Sequence, residues 1–142
     1  MQICMLSKGL KELVYSRSNE LCEYCKSPAI YSPDPFCMEH IIPKSKGGKT
    51  EPENLALSCY GCNNHKYNNT HGVDITTGNT VQLYNPRIQK WNEHFIWNDD
   101  ATKIIGLTTI GRATVDALKL NRQRLQNFRK LLFEAGEHPP NE

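Results

Sequence analysis

No apolar run in the 142-residue sequence approaches the ~20 residues a bilayer-spanning helix needs, and hydrophobic residues make up only 38%. The first residues lack the continuous apolar stretch of a secretory signal. These absences lead to the expectation of a cytoplasmic protein with no membrane partner. Internal repeats and low-complexity tracts are missing too, so neither a repeat array nor a compositionally biased tail is expected. Charge of one sign is also scarce: the net value of +2 is too small to announce a polyanionic partner. Its distribution says more. From Arg112 to Lys130 the chain carries Arg112, Lys119, Arg122, Arg124, Arg129 and Lys130 against the single acid Asp116. That asymmetry suits a phosphate backbone, and it suits a solvated helix face equally well. The length is that of one ordinary domain.

What is present begins with cysteine. Four of the six fall as Cys22-x-x-Cys25 and Cys59-x-x-Cys62. Two such knuckles in a chain without an export signal point to a tetrathiolate zinc site that staples the fold. The 33 residues between the knuckles exceed the ~15–20 of a simple zinc ribbon, so something folded is inserted there. Cys4 and Cys37 lie outside the pattern and read as small buried hydrophobes.

Ser7 can cap a helix to about Ser16, with Leu10, Leu13 and Val14 as its buried stripe. Three prolines make 27–35 loop-like, and Phe36–Ile42 reads as a strand stopped by Pro43. Thr50-Glu51-Pro52-Glu53 fits a capping box, followed by a second strand over 55–58 and a helix starting near Asn63. Further on, Thr77-Gly78-Asn79 reads as a turn into Val81 and Leu83, and 94–97 and 103–107 flank a hairpin turn. Thr109 and Asn121 are expected to cap two helices, the second stopped by Gly136. Trp91 and Trp97 read as core of this half, with His94 as a half-buried, hydrogen-bonded neighbour.

The inserted segment poses a question of its own. Glu39 and His40 are adjacent on a strand, where neighbouring side chains face opposite sides, yet only one side is expected to face a core. Asn54 follows His40 by fourteen residues, and Asn63 stands nine further on, directly after Cys62. With "HIIPKSKGG" and "ENLALSCYGCNNHK", this pattern resembles the HNH endonuclease family of the zinc-containing CxxC…CxxC type. The close match spans Cys22 to about Lys66, roughly a third of the chain.

The resemblance implies an α+β protein: a ββα-metal core stapled by a Cys4 zinc site, with an N-terminal helix and a C-terminal β-hairpin plus helices. We expect a single HNH nuclease domain over 1–142, divided as 1–21, 22–70 and 71–142. It also implies His40 as general base, one Mg²⁺ or Mn²⁺ ion held by Glu39 and Asn63, and Asn54 as a brace for His40 or its loop. Lys66, one helical turn from Asn63, is placed to neutralise transition-state charge, and His65 to point away. The expected substrate is nucleic acid, most of all DNA, cut to a 5′-phosphate and a 3′-hydroxyl. Lys44, Lys46, Lys49, Arg87 and Arg112 are candidate phosphate contacts. The alternatives are a non-catalytic zinc-stapled nucleic-acid-binding module, or a subunit of a larger mobile-element or defence assembly whose protein partner supplies specificity.

Overall fold

Ser7 starts the first helix as its sequence suggests: its hydroxyl accepts from the Leu10 amide, and α1 runs Lys8–Arg17. The computed structural model describes residues 7–141, so Cys4 lies outside the described residues. The α1 stripe differs from expectation. Val14 is fully buried, whereas Leu13 is 43% exposed. The inward face instead continues to Arg17, whose guanidinium donates to the Leu55 carbonyl at 2.6 Å.

The described residues form an α+β structure of two compact units. One comprises the chain up to Thr70 plus Asn85–Gln89, and the other His71–Tyr84 plus the chain from Lys90 onward. In the first unit, β1 (Cys37–His40) and β2 (Leu55–Ser58) pair antiparallel, with His40 opposite Leu55 and Glu39 opposite Ala56. Every residue of both strands is buried, because α1 packs against β2 and α2 (Tyr60–Lys66) against β1. Both faces of the ribbon are therefore covered, and Glu39 and His40 are both inside. Cys37 is buried as expected, but disulfide-bonded rather than a free thiol.

Helix α2 starts three residues earlier than its sequence suggests, inside the second knuckle. Cys59 is its N-cap, accepting from the Cys62 amide. The capping box at Thr50 does not form. A single 3₁₀ turn, Pro52–Asn54, takes its place, and its cap residue Glu51 makes no side-chain capping bond.

In the second unit, β3 (His71–Val73) and β4 (Thr80–Gln82) form a hairpin whose first strand the sequence did not reveal. A helical turn, α3 (Trp91–His94), leads into β5 (Phe95–Trp97), which pairs with β6 (Ile104–Gly106) as expected. Two helices follow, α4 (Thr109–Ala117), capped by Thr108, and α5 (Gln123–Glu134). Asn121 caps nothing. Its amide instead closes a two-way bond with the Ile104 backbone, at 2.7 and 2.8 Å. Glycines let β6 and α4 touch: a Cβ on Gly106 would stand 2.4 Å from the Arg112 nitrogen. His94 bonds Thr108 at 2.6 Å and is half-buried, as read. Among the described residues, no helix is long and apolar enough to cross a membrane.

Candidate active site

The two knuckles come together. All four sulfurs of Cys22, Cys25, Cys59 and Cys62 lie within 4.8 Å of one another, and the Cys25 and Cys59 sulfurs are 3.7 Å apart. Tetrahedral zinc with bonds of about 2.3 Å would separate its sulfurs by about 3.8 Å, so the donor set and its spacing fit zinc. The Ser27 hydroxyl, 3.2 Å from the Cys25 sulfur, is placed to support that ligand.

The strand end beside this cluster carries the titratable pair. His40 is 2% exposed, and its Nε2 lies 2.8 Å from the Thr50 hydroxyl. Burial, and then the charge of Lys44, push the imidazole pKa below its ordinary value, so the ring is neutral near pH 7. Glu39, on the opposite face, is fully buried. Its Oε1 accepts from the Tyr24 hydroxyl at 3.0 Å and pairs with the Lys66 ammonium at 3.0 Å. Burial raises the Glu39 pKa, and the Lys66 charge opposes that rise.

Asn54 acts as a brace. Its side-chain oxygen accepts from the Ile42 amide at 2.8 Å, and its nitrogen donates to the carbonyls of Ile42 and Lys49 at 3.0 and 2.9 Å. The loop that follows His40 is thus tied at both ends by one amide. Gly48 lets it close, since a Cβ there would sit 1.7 Å from the Ile42 oxygen. Lys44, Lys46 and Lys49 are all exposed on this loop.

Asn63 and Lys66 share the buried face of α2, and His65 is exposed. The Lys66 ammonium is 2% exposed and also donates to the Ile41 carbonyl at 2.9 Å. It is thus committed to Glu39 and the backbone rather than open to a substrate. Asn63 Oδ1 is buried without a hydrogen-bond partner. Such an orphaned acceptor costs about 1–3 kcal/mol and calls for a partner. A hard cation satisfies oxygen acceptors of this kind, so the Glu39 and Asn63 oxygens fit Mg²⁺ or Mn²⁺.

The family model described as HNH endonuclease matches residues 22–69. That segment, about a third of the chain, is similar to the HNH endonuclease family. No curated protein and no solved structure gives a significant match to the chain.

Two of the expected phosphate contacts have other duties. Arg87 is paired with the buried Glu23, and Arg112 grips the buried Asp74 through two bonds at 2.9 and 3.0 Å. Part of the basic run of 112–130 is also spent internally, while Lys119, Arg124 and Lys130 are exposed. Arg129 is 2% exposed and donates to the carbonyls of Thr102 and Leu120, while Arg122 donates to those of Leu118 and Lys119. Two site residues went unread in the sequence, Tyr24 and Thr50. Thr50 was hidden by its resemblance to a helix cap, and Tyr24 by the 15 residues separating it from Glu39.

Proposed function

We propose that the HNH segment makes this chain a metal-dependent endonuclease that hydrolyses DNA phosphodiester bonds, with His40 as general base. The observation that carries the reading is the partnerless buried oxygen of Asn63, on the helix of a ββα unit whose first strand ends at Glu39-His40. Residues 22–70 supply the chemistry and 71–142 an extension of the same nuclease.

Neutral His40 accepts a proton from water as the water oxygen attacks phosphorus. Thr50 fixes the direction of the ring through Nε2. The bond to the 3′-oxygen then breaks, leaving a 5′-phosphate and a 3′-hydroxyl. A Mg²⁺ or Mn²⁺ ion held by Glu39 and Asn63 supplies charge stabilisation at the phosphate and the departing oxygen when bound. Asn54 keeps the His40 loop in register, and Lys66 pairs with the buried Glu39 carboxylate. Lys44, Lys46 and Lys49 meet backbone phosphates. Arg87 and Arg112, already paired with carboxylates, serve the fold instead.

The test is nicking of supercoiled plasmid by zinc-loaded protein with added Mg²⁺ or Mn²⁺. His40→Ala is expected to lower the rate about 10²–10⁴-fold. Intact plasmid with both metals would overturn the proposal. One observation favours the rival reading of a non-catalytic nucleic-acid-binding module: the Glu39 carboxylate already has a cationic partner in Lys66. That module would retard DNA in a gel and cut none of it. A nuclease subunit awaiting a specificity partner would nick weakly alone and faster with that partner added.

A further inference from the structure

Tyr24 stands between the two cysteines of the first knuckle and is 1% exposed. Its hydroxyl reaches Glu39 Oε1 at 3.0 Å and Oε2 at 3.4 Å. The Lys66 ammonium lies on the same Oε1 at 3.0 Å and is itself held by the Ile41 carbonyl. The carboxylate is therefore gripped at one oxygen. Oε2 keeps only the longer contact, although an ionised carboxylate offers about four acceptor positions in all. Lys66, which touches Glu39, lies one helical turn from Asn63, whose Oδ1 is buried without a hydrogen-bond partner. The torsion that turns a glutamate carboxylate is broad, so a second donor on Oε1 beside Lys66 narrows which oxygen is left to ligate.

We propose that Tyr24 is a positioning residue for the divalent cation: its phenol ties the zinc knuckle to Glu39 Oε1 and leaves Oε2 to ligate. The inference rests on the nuclease reading in taking Glu39 as a cation ligand, and it goes beyond that reading by making the zinc staple set the ligand's orientation. Tyr24 touches neither the cation nor the phosphate. Its effect passes wholly through Glu39, as that of outer partners of metal ligands does.

The experiment is a Mn²⁺ titration followed by electron paramagnetic resonance on zinc-loaded wild type, Tyr24→Phe and Glu39→Gln. Phenylalanine keeps the ring and removes the one donor. The expected result for Tyr24→Phe is full zinc content, an unchanged circular-dichroism spectrum and a Mn²⁺ Kd raised about tenfold. Nicking by the same variant should need more Mn²⁺, and excess Mn²⁺ should offset the loss. Wild-type Mn²⁺ affinity in Tyr24→Phe, alongside lost affinity in Glu39→Gln, overturns the Tyr24 role and leaves the nuclease reading standing. Unchanged affinity in Glu39→Gln overturns both, because Glu39 is then no ligand. Loss of zinc or of fold in Tyr24→Phe assigns the phenol to the knuckle's structure and also overturns the proposal.

Discussion

The two units solve the problem of stability in different ways. The first buries Glu23, Glu39, His40, Asn54, Asn63 and Lys66, groups whose desolvation is costly unless each finds a partner. The second builds around rings: Tyr84, Trp91, Phe95 and Trp97 pack in tilted and edge-to-face pairs at centroid distances of 5.1 to 5.6 Å, with Ile104, Leu118, Leu120 and Leu132 buried in the same unit. Arg129 sits 5.1 Å from the Trp97 ring and so joins the aromatic cluster as a cation over its face. The difference teaches that a segment filled with reactive polar groups cannot rest on apolar burial alone, and here four thiolates take up the task. The second unit also buries Asp74, Arg129 and His138, but each is held by bonds within that unit, and no cysteine cluster is found among its described residues.

Removing the metal is the strongest way to break this comparison. Structural zinc supplies about 10–16 kcal/mol of apparent binding energy, so chelation should abolish amide-exchange protection in 22–69. Protection of α4 and α5 is expected to persist in the same sample, and its simultaneous collapse would erase the distinction. The reciprocal experiment comes next in size. Phe95→Ala should cost about 3–5 kcal/mol, read as a lower denaturation midpoint of the second unit with zinc content unchanged.

Gly48→Ala sharpens the first half of the comparison. A methyl group forced against the Ile42 oxygen is expected to cost about 1–3 kcal/mol and to displace the loop that carries Lys44, Lys46 and Lys49. Nicking should fall while the four sulfurs keep their metal, which zinc analysis checks.

Acid should act on the second unit in two gentle stages. Burial, and secondarily the Arg129 charge, hold the His138 pKa below its ordinary value despite its bond to the Ala101 carbonyl. Its contribution is therefore present above the unfolded value of about 6.5 and is lost as pH falls through the lower folded value. The Arg112 guanidinium, first among its partners, holds the Asp74 carboxyl well below the usual carboxylate range. That contribution is full above about pH 4 and disappears only in stronger acid. Trp97 fluorescence should report the first stage, because the His138 ring lies 4.5 Å from it. Asp74→Asn should flatten the second stage and leave the first in place.

Much of the first unit was legible because its signals are local. Cysteine spacing marked the zinc cluster, and Leu55–Ser58 carried its strand in its own residues. The contacts that organise the site were not legible, since they join residues distant in sequence. Thr50 has the chemistry of a helix cap and spends it on His40; Asn121 has the same chemistry and spends it on Ile104. In each case a tertiary bond outcompeted the local one. The strand at His71–Val73 escaped notice because a glycine flanked by one β-branched residue carries almost no strand signal. The ion pairs of Arg87 and Arg112 stayed hidden for a related reason: nothing in the neighbouring residues announces their carboxylate partners.

A clasp that fastens a peptide at its two ends is nearly indifferent to how much peptide lies between. Doubling the span adds only ~0.6 kcal/mol of closure entropy. The turn around Ile30 and Tyr31, 78% and 48% exposed, lies inside the clasp, between the first knuckle and β1. It is therefore the place where this chain could accept a graft, a hairpin or a short extra element, with little cost to the closure of the fold around its candidate site.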